Sequence, residues 1–384
     1  MNNFTFQTTK TIINRPGIAG KLGDVVKETG GQRLMLVTDP GIKSAGISDK
    51  VTTGLAETGA EIFQYHKVES DPPEKMILEA VEIAKDKQVD CVIGLGGGSS
   101  LDTAKLVAFL AISQQKLDDI YGVEMAKGSR LPLILIPTTA GTGSEVTPIS
   151  IVTTRDNQKM GIVSPLIIPD IAVLDAELTL GLPPHITAAT GVDAMVHAIE
   201  AFTTKNKKNV LSDMIAIKAL ELLSKNIKTA VKNGQNLEAR SAMLLGSMLG
   251  GQAFTNAPVA AVHALAYPVG GHFHVPHGLS NSLMLPHVMR FNMSVIADQY
   301  AELGQIILPG ETSGTNEQIG NQLIDWLINL TEGLGLDTKL RQVGIKEEDL
   351  NMLATDAVKQ ERLLVNNPRE IAYKDALAIY QAAF

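Results

Sequence analysis

The chain has 384 residues, of which 45% are hydrophobic and 19% charged, a balance typical of a globular protein long enough for two domains. Its formal net charge of −8 argues against a nucleic acid as partner. Cys91 is the one cysteine, and no apolar run has the length of a membrane helix or the form of a signal sequence. These features predict a cytoplasmic protein that binds neither nucleic acid nor membrane.

Before about residue 180, short apolar runs alternate with segments of helical periodicity. The pattern predicts strands at 33–39, 61–66, 89–94 and 131–136 and helices at 74–87 and 100–113. Residues 149–163 alternate apolar and polar side chains around Asp156 and Asn157, which predicts a hairpin. Strands that alternate with helices at this spacing are typical of a parallel sheet covered on both faces.

The pattern changes after residue 180. Pro183 and Pro184 open an alanine-rich segment, and proline in a first turn favours the start of a helix, here predicted at 184–202. From there to the C-terminus the periodicity stays helical, without a strong strand pattern. The sequence therefore predicts an α/β domain over residues 1–180 and an all-α domain over residues 181–384.

A glycine-rich segment, GLGGGSSLDTAK at 94–105, directly follows one predicted strand and precedes a predicted helix. Three adjacent glycines let the backbone approach a phosphate closely, and the N-terminus of the following helix favours an anion. Either Ser99 or Ser100 is expected to cap that helix. The segment is neither a G-x-G-x-x-G motif nor a P-loop, and a plain strand–helix turn is the alternative.

Two further segments lie where predicted strands end, at the edge where α/β sheets bind ligands. Asp39 can accept hydrogen bonds from an adenosine ribose and would repel a 2′-phosphate, which favours NAD over NADP. An Asp that starts a turn before Pro-Gly is an equally good interpretation. The segment PTTAGTGSEVT at 137–147 is rich in small hydroxyl residues and glycine, and suits contacts with a cofactor.

Asp193 and His197 are four residues apart in the predicted helix 184–202, so they project from one face. This spacing recurs in metal sites but is a weak signal alone. Five of the eight histidines lie between His263 and His287, and residues 241–289 contain no charged residue. Such a stretch is expected to be buried, and a metal would give several buried histidines a partner at once. One carboxylate and three imidazoles suit Fe²⁺ or Zn²⁺.

Not every histidine is a ligand candidate. His66 and His185 are expected at the surface or at a helix end, and His287 is expected to be structural. His272 and His274 could line a pocket without binding the ion.

The motifs GGGSSLDTAK, PTTAGTGSEVT, GVDAMVHAIEAF and VHALAYPVGGHFHVPHG occur in this order along the chain. Together they resemble the iron-dependent (group III) alcohol dehydrogenases, a family that includes lactaldehyde reductase/propanediol oxidoreductase. The resemblance runs essentially end to end. It implies a Rossmann-like N-terminal domain and a helical C-terminal domain, the architecture also found in dehydroquinate synthase. It also implies bound NAD and Fe²⁺, with Zn²⁺ as the alternative metal, in a homodimer or larger homo-oligomer.

The resemblance assigns roles to individual residues. The implied metal ligands are Asp193, His197, His263 and His277. The implied cofactor contacts are Asp39, Gly96, Gly97, Gly98, Ser99, Asp102, Thr138, Thr139, Lys159 and Leu178. Phe254 is implied to line the substrate pocket.

One position departs from the family pattern. Four residues after His263, many members carry a histidine with a role in proton transfer, and Tyr267 stands there in this chain. A tyrosine hydroxyl can relay a proton but is a much weaker acid than imidazolium. The catalytic candidates are therefore Tyr267, His272 and His274.

The predicted reaction is hydride transfer between NAD(H) and a small uncharged alcohol or aldehyde, because residues 241–289 offer no charge to a substrate. A dehydroquinate synthase-like enzyme would need basic residues in this stretch for its phosphate and carboxylate. A glycerol dehydrogenase-like enzyme normally uses zinc with fewer protein ligands. A nucleotide- and metal-binding sensor without turnover is the alternative outside enzymes.

Overall fold

The computed structural model describes residues 3–156, 158–310 and 312–384. The chain divides into two compact units, which we call the α/β unit and the helical unit. The α/β unit is Gln7–Gly181, and the helical unit is Leu182–Phe384 together with residues 3–6. Among the described residues, no helix combines the length and the apolar character needed to cross a membrane.

The described residues of the α/β unit form nine strands, five α-helices and short 3-10 segments. The strands are β1 Thr11–Asn14, β2 Arg33–Val37, β3 Glu61–Tyr65, β4 Cys91–Gly96, β5 Gly122–Val123, β6 Leu133–Pro137, β7 Ile149–Thr153, β8 Lys159–Val163 and β9 Ile171–Leu174. The helices are α1 Gly23–Lys27, α2 Pro40–Ser44, α3 Ile47–Ala56, α4 Glu74–Asp86 and α5 Gly98–Leu110. The 3-10 segments are Ile18–Lys21, Leu117–Asp119, Ser144–Val146, Pro165–Ile167 and Ala176–Thr179.

The main sheet is parallel throughout, with the strand order β1-β9-β6-β4-β2-β3. After β2 the chain forms β3 on one side and then crosses to form β4 on the other side of β2. The order of the strands therefore reverses between β2 and β4. In open α/β sheets a ligand binds at the carboxyl ends of the strands where this reversal occurs.

Both faces of this sheet are buried, as expected for a parallel sheet between helices. Successive β2 side chains point to opposite faces, so Leu34 and Leu36 join one apolar cluster while Met35 and Val37 join another. Cys91, a free thiol in β4, is fully buried in the first of these clusters. The second sheet, β5-β8-β7, pairs β7 and β8 as an antiparallel hairpin.

Nine α-helices are formed by the part of the helical unit that the structure describes. They are α6 Pro184–Thr203, α7 Val210–Lys232, α8 Leu237–Asn256, α9 Ala261–Phe273, α10 His277–Ile307, α11 Asn316–Gly333, α12 Leu350–Ala357, α13 Glu361–Leu364 and α14 Tyr373–Ala383, with 3-10 segments at Leu340–Val343 and Glu347–Asp349. Helix α6 is central and packs against α7, α8 and α10. Pro184 occupies its first turn, where the missing N–H leaves no intrahelical bond unmade.

The predicted fold class is confirmed, and so are the four predicted strands, the hairpin and the helix that begins at Pro184. Asn157, in the predicted turn of the hairpin, lies outside the described residues. Strand β9 was not predicted, because its run of four apolar residues is short and stands apart from any helical pattern. The expected serine cap of α5 was wrong: Gly97 is the N-cap residue, without a side-chain cap.

Candidate active site

Helix α6 presents two polar side chains inside the core of the helical unit. Asp193 is 2% exposed and His197 is 4% exposed, and both lie in the middle of the helix, where most neighbours are apolar. Burying an ionisable group without a partner is costly, so each of these side chains requires a polar contact.

The other two candidate ligands come from neighbouring helices. His263 lies in the first turn of α9, and His277 is the first residue of α10. Asp193, His197, His263 and His277 each place one ligand atom within 4.8 Å of the others. Bonds of about 2.0–2.2 Å to one ion put opposite ligands up to about 4.4 Å apart, so the four atoms are close to the spacing that a single ion requires.

A glycine allows α10 to begin close to α6. A Cβ atom added to Gly278 would stand 2.4 Å from the backbone oxygen of Ala189 and 3.2 Å from the Cβ of Asp193. The contact with Ala189 involves backbone, which cannot turn away as a side chain would. The absence of a side chain at Gly278 therefore keeps the neighbouring His277 near Asp193.

The hydrogen bonds of Asn281 show that the ligand atoms converge. Its amide nitrogen lies 2.7 Å from Oδ1 of Asp193 and 3.2 Å from Nε2 of both His263 and His277. One amide nitrogen can approach three such atoms at these distances only where the atoms surround nearly one position. A divalent cation binds such a set of one carboxylate and several imidazoles, so these residues fit a metal ion.

Asp193 is adapted to remain ionised although it is buried. Burial alone would raise the pKa of this carboxyl, but the positive charges that His197, His277 and His263 carry when protonated, together with the Asn281 amide, outweigh burial and leave the pKa below its usual value. An ionised carboxylate is the form that binds a metal.

Two aromatic residues flank the candidate ligands. The Phe254 ring stacks on His197 with 4.5 Å between ring centroids. The Tyr267 ring lies 6.5 Å from that of His263 and 6.1 Å from that of His277. The structure thus places the predicted substrate residue and one of the three predicted catalytic residues beside the candidate ligands.

The remaining histidines of this region have other surroundings. His272 Nε2 is 2.7 Å from Oδ2 of Asp356, in a partly exposed pair. His274 ends α9 in a left-handed backbone conformation, with φ of 54°. Burial and the nearby Arg290 lower the pKa of His287 to about 4, which favours a neutral ring there. The predicted catalytic roles of His272 and His274 remain predictions, and the geometry favours Tyr267.

Two residues of the site were not among those predicted from the sequence. Glu200 Oε2 lies 2.6 Å from His263 Nδ1, and Asn281 contacts three of the four candidate ligands. A signal for Glu200 was present, since it follows His197 by three residues and is, with Asp193, one of two charged residues between 184 and 204. Asn281 follows His277 by one helical turn, but an asparagine at that spacing is too common to be informative.

In the α/β unit, Asp39 and the glycine loop meet at the strand reversal between β2 and β4. Asp39 caps α2 by accepting from Ile42 N at 3.0 Å, and its other oxygen accepts from Ser100 Oγ at 3.2 Å. Gly96 has φ of 145°, and a Cβ there would lie 2.7 Å from Ser100 Oγ. Because Gly97 gives no side-chain cap, the first N–H groups of α5 keep their capacity for an anionic ligand.

Asp102 bonds to neighbouring parts of its own unit. Its Oδ1 accepts from Ser144 Oγ at 2.5 Å and its Oδ2 from Ile151 N at 2.9 Å. The buried Lys105 also donates to Ser144 Oγ, at 2.7 Å. These contacts join α5 to residues that follow β6, so Asp102 holds the 137–147 segment in place from within the unit.

The other predicted cofactor contacts lie in three places. Thr138 and Thr139 directly follow β6, and Thr138 N donates to Gly96 O at 2.9 Å. Lys159 begins β8 and pairs with Asp71 at 2.7 Å. Leu178 lies in the apolar cluster that covers one face of the main sheet. The structure thus brings Thr138 next to the glycine loop, as the neighbouring positions of β4 and β6 require.

Comparison with known proteins identifies the relationship. The family model described as iron-containing alcohol dehydrogenase matches residues 9–176, and the model of the C-terminal part of the Fe-containing alcohol dehydrogenase family matches residues 187–384. The chain belongs to the iron-containing alcohol dehydrogenase family. This iron-containing alcohol dehydrogenase is therefore an oxidoreductase, and the resemblance inferred from the motifs is confirmed.

Individual members of the family match this chain over almost its whole length. Long-chain-alcohol dehydrogenase 1 of Geobacillus thermodenitrificans is 39% identical over 96% of this chain and 93% of its own. The NAD-dependent methanol dehydrogenase of Bacillus methanolicus is 32% identical over 100% of both chains. The crystal structure of a 1,3-propanediol oxidoreductase superposes with a TM-score of 0.96 at 32% identity, again over 100% of both chains.

Proposed function

We propose that this protein transfers a hydride between NAD(H) and a small uncharged alcohol or aldehyde, using a divalent metal ion held by Asp193, His197, His263 and His277. The observation that carries the proposal is the grouping of these four ligand atoms within 4.8 Å of one another, three of them around the Asn281 amide nitrogen. Iron is the metal we favour, from the family, with zinc as the alternative.

The residues of the site have different proposed roles in the reaction. When bound, the cation supplies a Lewis acid that lowers the pKa of an alcohol hydroxyl toward neutrality. Asp193 contributes the one negative charge among the four ligands, and its low pKa keeps that charge in place. Phe254 covers His197 with an apolar ring and offers the carbon chain of a substrate an apolar surface. The chemistry of the whole site suits a substrate that is an alcohol, a diol or the matching aldehyde, rather than a charged molecule.

Proton transfer is assigned to Tyr267. Its ring centroid lies 6.5 Å from that of His263 and 6.1 Å from that of His277, so this residue belongs to the surroundings of the ligands. A hydroxyl can accept a proton at one lone pair while it donates its own, and can thus pass the alcohol proton outward. His272 is engaged with Asp356 and is the less suitable relay.

The α/β unit is proposed to bind NAD where its strand order reverses. NAD supplies the hydride acceptor when bound, and the Bacillus methanolicus relative is named as NAD-dependent. The N-terminus of α5 would bind the pyrophosphate, and Asp39 would bind the ribose. The remaining assigned contacts are Gly96, Gly97, Gly98, Ser99, Asp102, Thr138, Thr139, Lys159 and Leu178.

We also propose that the protein is cytoplasmic and forms a homodimer or larger homo-oligomer. The single buried thiol supports a reducing compartment, and the family resemblance supports self-association. Light scattering on the purified chain tests the second point, and a monomer at micromolar concentration would contradict it.

The function is tested by following NADH formation from ethanol, 1-propanol and 1,2-propanediol before and after removal of metal. We expect turnover that disappears on stripping and returns with Fe²⁺ or Zn²⁺. Turnover that survives complete stripping would contradict the role of the metal. Binding of metal and NAD without turnover of any substrate would favour the sensor alternative.

Single substitutions test which residues hold the metal ion. His263→Ala and His277→Ala each remove a proposed ligand, and we expect both to lose bound metal and activity. His287→Ala is the matched control, because this histidine lies in the same charge-free stretch but outside the candidate ligand group. Retention of metal by both ligand variants would show that the four-residue assignment is wrong.

A further inference from the structure

Glu200 is a buried carboxylate on α6 outside the four candidate ligands. It is 4% exposed and lies three residues beyond His197, on the same face of the helix. In the part of the chain that the structure describes, its ion-pair-distance partner is the His263 ring rather than a lysine or arginine. Burial of a carboxylate is costly unless both oxygens are well bonded.

Both oxygens of Glu200 are bonded to the start of α9. Oε1 accepts from the backbone N–H of Val262 at 2.7 Å, and Oε2 lies 2.6 Å from Nδ1 of His263. Ala260, the N-cap residue of α9, gives no side-chain cap. Glu200 therefore supplies, from another helix, both a hydrogen-bond acceptor and a negative charge at the N-terminus of α9.

The two neighbours of the His263 ring determine its tautomer. An ionised Glu200 can only accept a hydrogen bond, so Nδ1 of His263 must carry the proton. On the opposite side of the ring, the Asn281 amide nitrogen lies 3.2 Å from Nε2; since an amide N–H can only donate, this contact is a hydrogen bond when Nε2 carries a lone pair. The two contacts are consistent, and they leave Nε2 as the nitrogen available to bind a cation.

We propose that Glu200 is a positioning residue, which holds His263 in the Nδ1–H tautomer and thereby directs the Nε2 lone pair into the metal site. This inference rests on the proposed function, in which His263 is a metal ligand. A carboxylate that accepts from a ligating histidine fixes the ring and makes its other nitrogen a better ligand.

Glu200→Gln tests the proposal with little change of shape. If the glutamine oxygen faces His263, its NH₂ group faces the Val262 N–H, and two donors oppose each other. If the NH₂ group faces His263 instead, it favours the Nε2–H tautomer, which cannot bind metal through Nε2. In either arrangement we expect the dissociation constant for Zn²⁺ to rise about 10–100-fold.

The measurement is competition between the metal-stripped full-length protein and a chromophoric chelator for Zn²⁺. Glu221→Gln is the matched control, because Glu221 lies on α7 and forms partly exposed pairs with Lys218 and Lys225. Wild-type protein that binds no Zn²⁺ would overturn the proposed function and this inference with it. Wild-type binding that Glu200→Gln reproduces within threefold would overturn only the role of Glu200.

A second measurement remains decisive if Glu200→Gln does not fold. Nitrogen-15 NMR of histidine-labelled, metal-stripped wild type distinguishes the two tautomers, and the His263 signals are identified by their loss in His263→Gln. We expect a proton on Nδ1, and in a folded Glu200→Gln variant we expect the proton to shift partly to Nε2. A purely structural Glu200 would leave the tautomer unchanged, and a wild-type ring protonated on Nε2 would overturn the proposal.

Discussion

At the scale of single residues, the same side chain often has both a structural and a functional role. Asp39 caps α2 through Ile42 N and also accepts from Ser100 beside the glycine loop. From the sequence alone, a ribose contact and the start of a turn were alternative interpretations of Asp39. The structure shows that the capping role is real and that the second oxygen still lies at the strand reversal where a ribose is expected.

Because Asp39 has both roles, the substitution chosen to test cofactor preference matters. Asp39→Asn keeps a good N-cap residue but removes the charge that would repel a 2′-phosphate. We expect wild type to prefer NAD, and the ratio of NADP to NAD efficiency to rise about tenfold or more in the variant. The measurement is kcat/KM with each cofactor at constant pH and ionic strength.

Asp39→Gly serves as the comparison for this prediction. It removes the carboxylate altogether, so a preference lost in Asp39→Gly but kept in Asp39→Asn would point to hydrogen bonding rather than charge. A wild type that prefers NADP would refute the role assigned to Asp39.

Glu145 illustrates the loss of folding stability that results when an ionisable residue is buried without a full set of hydrogen-bond partners. Burial raises the pKa of Glu145 to about 7, although its backbone hydrogen bond and Lys105 act in the opposite direction. Its Oε1 has no hydrogen-bond partner among the described residues. Below pH 4.5 the carboxyl is protonated in both the folded and the unfolded chain. As the pH rises from 4.5 to 7, the folded state holds the proton longer and stability falls.

We therefore predict that Glu145→Gln is stabilised relative to wild type at pH 8 but not at pH 4.5. The expected gain at pH 8 is about 1–3 kcal/mol, because the glutamine avoids the cost of ionising a buried carboxyl and each pKa unit of that shift corresponds to about 1.4 kcal/mol. Denaturant unfolding at both pH values measures the difference, with the exposed Glu82→Gln as control. A gain that is equal at the two pH values would contradict a cost arising from ionisation.

At the scale of secondary-structure elements, the sequence predicted the strands and helices that follow from a local pattern of residues. Apolar runs between glycines or prolines predicted the central strands, and the period of apolar residues predicted α6 from its proline start. The contact between Glu200 and the start of α9 joins residues more than 60 positions apart, so no local pattern contains it. For the same reason, the choice among the histidines came from the family resemblance and not from spacing.

Helix packing places the ligands as much as the identity of the side chains does. Gly278→Ala would put a methyl group 2.4 Å from the Ala189 carbonyl oxygen, and α10 must then move away from α6. We expect His277 to move with it and the dissociation constant for Zn²⁺ to rise at least about tenfold, although all four ligands remain. Gly271→Ala, at a helical position with nothing within 4 Å of the added Cβ, should bind Zn²⁺ normally.

The comparison of these two alanine variants is made by the same chelator competition, with circular dichroism to show that both are folded. A folded Gly278→Ala protein with wild-type affinity would mean that the site tolerates displacement of α10. Helix packing would then not limit the geometry of the ligands.

At the scale of the whole molecule, each of the two units has its own proposed ligand and its own spectroscopic or chemical reporter. The single tryptophan, Trp326, lies in α11 of the helical unit. The single cysteine, Cys91, lies in β4 of the α/β unit, the strand that leads into the glycine loop. Burial raises the pKa of the Cys91 thiol to about 12, so a thiol reagent should react with it only after local or global opening.

These reporters allow metal and NAD to be followed in the same protein. A ligand that binds only the folded state stabilises it by about 2.7 kcal/mol at 100 times its dissociation constant. We therefore expect added Zn²⁺ to raise the unfolding midpoint seen by Trp326 fluorescence, and NAD to slow the labelling of Cys91. His263→Ala should lose the effect of Zn²⁺ on Trp326 and keep the effect of NAD on Cys91, since its cofactor residues are intact. Loss of both effects in this variant would show that the metal site and the NAD site are coupled through folding. Metal binding would then depend on more than the fold of the helical unit.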